Sequence, residues 1–385
     1  MLFKDVAGQE KIKHKLMESH LADRTAHAQI FNAKEGSGGL ALALAYAQYL
    51  LCENPQATDA CGQCSACKKT QKLIHPDLHF SYPTVGSKTV STDFITEWRA
   101  AILENPYISI HDWLITLNAE NKQGNISVSE CVSIVQRLSY KAIEGKYRIL
   151  ILWLPEFLGA EGNRLLKLIE EPRPNTIFLL VTENVDKILN TILSRCQLIQ
   201  LNQLSDEEII LKLMTDHALD RSRAENIGYL ADGNYHQAIK LMHNTEDLNA
   251  DLFVYWLRVC YLGKAIEMVQ WVEGMASGKH PEKDCFFKMG RKDQVFFLKY
   301  GLFFFREFLK LKTDGSGERV RLKEKESAVA KNLLKLLDVS KISKLSLLFD
   351  EMIYHIERNG NAKLIFMDAS IKMHKVLQAQ HVLVG

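Results

Sequence analysis

"FNAKEGSGGLALALAYAQYLLC", residues 31–52, runs from an apolar segment through a glycine-rich turn into an Ala/Leu-rich helix. That is the layout of a phosphate loop at the end of a buried strand. A working loop reads G-x-x-x-x-G-K-[ST]. Its backbone N–H groups cradle phosphate, its lysine reaches the outer phosphates and its hydroxyl holds Mg²⁺. Here Ala33 stands at the first glycine, Gly39 at the lysine and Leu40 at the hydroxyl, while Gly36 and Gly38 preserve the turn. The loop keeps its shape and has lost its charge.

The surrounding pattern is α/β. Short apolar runs at Ala28–Asn32, Ile149–Leu154 and Thr176–Thr182 read as buried strands, with a fourth at Gln197–Leu201. Helical segments at Leu40–Leu51, Val128–Ser139 and Gly162–Glu170 separate them. Strands alternating with helices imply a parallel sheet covered on both faces, with ligand sites at its carboxyl edge. Residues 80–125 fit this alternation poorly and read as a surface insertion with one helix around Asp93–Leu103.

Seven of the eight prolines lie at or before Pro174, so the remainder is expected to be largely helical. Ser205 with Glu208 three residues on makes a capping-box start for "SDEEIILKLMTDH", the first of three helices over about 205–245. Long helices follow, interrupted by the mixed-charge run 312–326, read as a solvated loop. "VFFLKYGLFFFREFL" (295–309) is expected to be ordinary core, and Gly360, flanked by Asn359 and Asn361, to join two late helices.

At 385 residues the chain is long enough for two or three domains, and 47% hydrophobic against 24% charged residues suits a well-formed core. A net charge of +2 excludes a strong global field drawing it to nucleic acid or membrane. The charged start, "MLFKDVAGQEKIKHKL", has no secretory h-region, and no apolar run approaches the roughly 18 residues that span a bilayer. A reducing cytoplasm is the expected compartment.

Four of the eight cysteines, Cys52, Cys61, Cys64 and Cys67, fall in a C-x8-C-x2-C-x2-C pattern. In a reducing compartment such clustering points to metal rather than disulfides. Four soft donors fill a tetrahedral Zn²⁺ shell, which makes a structural site. Gly62 relaxes the turn. His75 and His79 in "HPDLH" are competing ligands but fit better as part of the chain leaving the module.

In an ATPase of this architecture, the strand carried here by "YRILILWLPEF" ends in Asp-Glu, which handles Mg²⁺ and the attacking water. Trp153 and Leu154 occupy those positions, and Glu156 lies beyond Pro155. All four charge-handling groups are therefore missing from one pocket. Arg195, in "ILSRCQ", precedes the fourth strand; taken alone, it reads as a surface ion-pair partner.

The chain resembles the clamp-loader subunits of the bacterial replicative polymerase, DNA polymerase III, in "FKDVAGQE", "AHAQIF", the glycine turn followed by four cysteines, "NRLLKLIEEP", "NTIFLLVTEN", "TILSRCQ" and "IERNGNAKLIF". That family divides into ATP-hydrolysing gamma/tau chains and delta-prime chains that have lost the nucleotide-handling residues but keep an SRC motif. This sequence resembles the delta-prime branch.

The resemblance implies a RecA-like AAA+ parallel-sheet domain with a zinc module (1–203), a small helical lid (204–246) and an all-α collar that oligomerises (247–385). It implies that Arg195, within Ser194, Arg195 and Cys196, is an arginine finger offered in trans to a neighbour's ATP. His236 would stand where the ATPases carry a sensor arginine. No ATP or Mg²⁺ is expected on this chain. The implied partners are gamma/tau and delta subunits in a five-membered ring, then the sliding clamp and primed DNA, at the replisome.

Two other readings compete. One is a divergent gamma/tau-type ATPase using displaced groups such as Lys34 and Glu156; the other is a zinc-dependent nucleic-acid binder, for which Lys68, Lys69 and Lys72 are the only local basic cluster.

Overall fold

Five strands pair in parallel in the order β2-β3-β4-β1-β5: β1 Ala28–Asn32, β2 Leu78–Ser81, β3 Arg148–Trp153, β4 Thr176–Thr182 and β5 Gln197–Gln200. The structure, a computed structural model, describes the chain except for residues 87, 120–121, 244–245, 280–288, 315–321, 323, 335 and 379–385. It divides into two units, Met1–Lys240 and Leu241–Gly385.

In the first unit β1 lies between β4 and β5, with Ile30 opposite Leu180 on one side and Leu198 on the other. "RILILW" and "TIFLLVT" are buried at every residue, as continuous apolar strands in a doubly covered sheet must be. The helices are α1 Glu10–Leu21, α2 Gly39–Leu51, α3 Ser65–Gln71, α4 Ile95–Glu104, α5 Ile110–Thr116, α6 Val128–Ser139, α7 Leu166–Glu170, α8 Asn190–Leu193, α9 Asp206–His217, α10 Arg221–Ala231 and α11 Tyr235–His243. Every residue of α2 is buried, so its Ala/Leu composition serves packing all round rather than along one stripe. Ser205 and Glu208 close the expected capping box on α9.

Two expectations need correction. The fourth strand, β5, is an exposed edge rather than a buried strand, and its glutamines fall at the edge where an apolar row would be a hazard. Residues 80–125 are not a surface insertion. They begin inside β2, which the sequence pattern did not separate, and carry α4 and α5. Tyr82, Trp98 and Trp113 are fully buried. Tyr82 stacks on Trp98 at 4.0 Å between ring centroids, Trp113 lies edge-on to Trp98 at 5.2 Å, and the Trp113 indole N–H donates to the Pro83 carbonyl at 2.8 Å. These rings lie far apart in sequence with no helical or strand period, so only tertiary packing reveals them as core.

The second unit contains α12 Glu246–Leu262, α13 Ala265–Ser277, α14 Arg291–Asp314, α15 Glu324–Leu333, α16 Val339–Glu357 and α17 Ala362–Gln378. Phe297, Phe304, Phe305 and Phe308 of α14 are fully buried, which bears out the core reading of 295–309. Trp256 stacks on Trp271 at 4.7 Å. The turn at Asn359–Gly360 joins α16 to α17, with the Gly360 N–H donating to the His355 carbonyl. Much of the 312–326 run lies outside the described residues. Among the described residues no helix is long and apolar enough to cross a membrane.

Asp77 ties the approach to β3 onto the approach to β2. Its buried carboxylate accepts the N–H groups of Ile143, Glu144 and Gly145 at 2.6, 2.8 and 2.7 Å. Burial alone would raise its pKa, but the three N–H groups, with His75 nearby, bring the net value below the ordinary 3.8. A depressed folded pKa contributes stability above the unfolded value and loses it as pH falls through the folded one. Asp77→Asn is therefore expected to lower the unfolding free energy by about 1–3 kcal/mol at pH 7 in urea titrations. The gap to the parent should close as the pH drops below 3.8.

Candidate functional site

The carboxyl ends of β1, β3 and β4 form a crevice with the glycine turn on one wall. Ala33, Gly36, Gly39, Trp153 and Val181 line it, together with Tyr107 from the turn between α4 and α5. Gly36 (φ 73°) and Gly38 (φ 89°) adopt the left-handed conformation that the turn requires and that glycine tolerates.

The exchange of Gly for Ala at 33 and of Lys for Gly at 39 has a steric logic. A Cβ added to Gly39 would lie 2.8 Å from the Ala33 Cβ and 3.2 Å from Val181 Cγ1. In the phosphate-binding motif the first position is bare and the lysine carries the Cβ. Here the methyl sits on the other side of the same gap. A side chain at 39 would require the end of β1 or the start of α2 to move, so the packing disfavours the lysine.

The other charge-handling positions are equally closed. Trp153, where the Asp would stand, packs against Trp98 at 5.3 Å. Leu154 is buried. Glu156 turns to the end of β4, where its carboxylate accepts the Thr182 hydroxyl at 3.0 Å and the Glu183 N–H at 3.1 Å. Burial raises its pKa despite those bonds. Lys34 stands at the rim of the crevice with Glu35 and Glu183, and its Nζ donates to Gln203 Oε1 at 3.4 Å. His236 faces α5: its Nε2 lies 2.5 Å from Asp112 Oδ2.

Arg195 follows the short α8 and leads into β5. Its side chain is 35% exposed and forms an ion pair with Glu170 of α7. Its Nη1 donates to the Thr191 carbonyl at 2.7 Å and to Ser194 Oγ at 3.0 Å. Burial pushes the neighbouring Cys196 thiol up to about 11. In this single chain Arg195 is thus a solvent-facing ion-pair partner, held in place by its own helix.

The four cysteines converge as the spacing predicts. Their sulfurs lie within 4.8 Å of one another, with Cys61 and Cys67 at 3.9 Å. Four ligands about 2.3 Å from a tetrahedral centre stand about 3.8 Å apart, so the sulfurs fit a metal. Backbone N–H groups of Cys61, Cys64 and Cys67 point at the sulfurs of Cys52, Cys61 and Cys64 at 3.3–3.4 Å, the kind of outer contact that steadies thiolate ligands. Gly62, with φ 71°, makes the turn. His75 and His79 lie outside the set. His75 Nδ1 accepts the Asp77 N–H at 3.2 Å, and His79 sits half-buried on β2. Of the three nearby lysines, Lys69 is paired with Glu144.

A parallel sheet in this order, with a glycine turn after β1 and a small helix pack closing on that turn, defines an AAA+-type chain. The sequence profile described as "DNA polymerase III, delta subunit" matches residues 8–205, just over half of the chain. The chain belongs to that clamp-loader family.

Relatives include the delta' subunit of DNA polymerase III of Escherichia coli, 29% identical over 48% of this chain and 45% of that protein. The delta' subunit of Bacillus subtilis is 25% identical over 64% of this chain and 60% of its own length. The B. subtilis tau subunit is 24% identical over 88% of this chain and 56% of its own length. The chain thus spans about half the length of the curated relatives it matches.

A double-mutant cycle tests the exchange at 33 and 39. Gly39→Ala is expected to be about 1–3 kcal/mol less stable in the parent than in an Ala33→Gly background, measured by thermal or urea unfolding. Equal effects in the two backgrounds would rule out the steric coupling.

Proposed function

We propose that the chain is the non-hydrolysing, delta-prime-type subunit of a DNA polymerase III clamp loader. It lends Arg195 to the ATP of a neighbouring subunit, so that the sliding clamp is loaded onto primed DNA. The observation that carries this reading is the contrast between a crevice with Gly39, Leu40, Trp153 and Leu154 at the charge-handling positions and a guanidinium presented at the surface.

An arginine offered in trans stabilises charge on the transferred phosphoryl group and is worth about 10³–10⁵ in rate. It needs no nucleotide in its own chain, only a rigid mount. The pair with Glu170 is solvent-facing, and such pairs contribute about 0–1 kcal/mol. A phosphoryl oxygen, with its greater charge and bidentate geometry, competes well for the same guanidinium.

The rival reading of a divergent ATPase loses its candidate groups, since Glu156 is engaged at the end of β4 and Lys34 with Gln203. In this reading residues 204–246 act as a lid and 247–385 as a collar. Gamma/tau and delta subunits are the neighbours, and the complex works at the cytoplasmic replisome.

Arg195→Ala is expected to leave folding and complex assembly intact while lowering the clamp- and DNA-stimulated ATPase of the reconstituted complex at least tenfold. Unchanged ATPase in an assembled complex would end the proposal.

The cysteine cluster is read as a structural Zn²⁺ site. Elemental analysis of the purified chain should find one zinc per molecule. Cys61→Ser should lose it and lower the melting temperature, because the metal's binding free energy contributes to folding.

A further inference from the structure

Residues 105–112 run from the end of α4 into the first turn of α5, and Pro106, Tyr107 and Ile108 among them line the crevice. On one side Tyr107 closes over the glycine turn. Its ring is so near that a Cβ on Gly38 would stand 3.0 Å from Tyr107 Cε1. Its hydroxyl accepts the Ala7 N–H at 2.8 Å, and its ring meets Tyr235 at 4.8 Å between centroids. On the other side the three-helix pack rests directly on the loop. The Tyr235 N–H donates to the Gly36 carbonyl at 3.0 Å, and a Cβ on Gly36 would strike Asn234 Oδ1 at 1.8 Å.

A chain of hydrogen bonds connects these contacts. The Asn105 Oδ1 accepts the Tyr107 N–H at 2.9 Å, which fixes the orientation of the amide. Its Nδ2 therefore faces His236 Nδ1, 2.8 Å away, and makes that nitrogen the acceptor. The other ring nitrogen, Nε2, then carries the hydrogen donated to Asp112 Oδ2 at 2.5 Å. Lys240, one turn further along α11, places Nζ 2.7 and 2.9 Å from the two Asp112 oxygens, and the Ser109 hydroxyl donates to the same carboxylate. Burial would raise the Asp112 pKa, but His236, Lys240 and Ser109 together hold it below the ordinary carboxylate value.

The start of α11 thus lies against the glycine turn through Asn234 and Tyr235, and His236 and Lys240 follow on the same helix with their polar groups on the Asp112 carboxylate. We propose that residues 105–112 are an intrachain substitute for nucleotide: Tyr107 fills the mouth of the phosphate loop and Asp112 supplies the anion gripped by His236 and Lys240. The helix pack is held on the sheet in the absence of ATP. Nucleotide is kept out by an occupant as well as by the missing charge. The proposal rests on the reading of the crevice as nucleotide-free and not on any role of Arg195.

Hydrogen exchange read by mass spectrometry on the full chain, with and without millimolar Mg-ATP, tests it. In the parent, amides at 36–42 and 234–240 should exchange slowly and at the same rate in both conditions. In Asp112→Ala, exchange at both segments should rise about tenfold, while amides of β1 and β4 stay protected. Lys240→Gln, on the exposed side of the cluster, should produce a smaller rise at the same segments without disturbing α5.

If Mg-ATP slows exchange in the parent, the nucleotide-free reading of the crevice fails. If the parent ignores Mg-ATP and neither variant loosens the two segments, that reading stands and the substitute alone is overturned. Loss of strand protection in Asp112→Ala transfers the decision to Lys240→Gln.

Discussion

The crevice of the first unit is arranged around the close approach between the end of β1 and the start of α2. Gly39 has no room for a side chain because the methyl of Ala33 and a methyl of Val181 already fill the gap. That contact brings a wholly buried helix against the ends of β1 and β4, and it leaves room for only one Cβ between positions 33 and 39. Once the Cβ resides on residue 33, a lysine at 39 cannot be accommodated without moving the strand or the helix. The absence of the motif lysine is therefore matched by the packing of the loop.

A glycine turn of this kind has polar walls and space to fill, since backbone donors and voids are costly to bury unsatisfied. The chain meets that cost with parts of itself. Tyr107 lies over the turn, Trp153 lines the crevice with Trp98 packed against it, and Asn234 lies against Gly36. The segment that supplies Tyr107 and Trp98 would otherwise be an unexplained excursion of more than forty residues between β2 and β3. Its aromatic rings make it part of the core, and its carboxylate makes it the partner of α11.

The cysteine cluster and Arg195 are separate local designs. The cluster is made by chain-local turns, with Cys61, Cys64 and Cys67 within one short stretch and Cys52 at the end of α2. Arg195 is held by the carbonyl of Thr191, four residues back, and by Glu170 of α7. Neither depends on how the crevice is filled, so each can be altered without disturbing the other.

Local order was legible in the residues themselves. The runs "ILILW" and "TIFLLVT" pointed to buried strands because they are short, apolar at nearly every residue and rich in β-branched and aromatic side chains, and Ser205 with Glu208 marked a helix start through bonds three residues apart. The cysteine spacing likewise brought four sulfurs together. The short strand β2 escaped because its four residues run straight into the polar stretch that follows. The filling of the crevice could not be read at all: Tyr107 meets Ala7 across 100 residues and His236 meets Asp112 across 124. Sequence determines what chain-local geometry enforces; which distant side chain occupies a vacated pocket is decided only when the sheet, the insertion and the helix pack compete for the same volume.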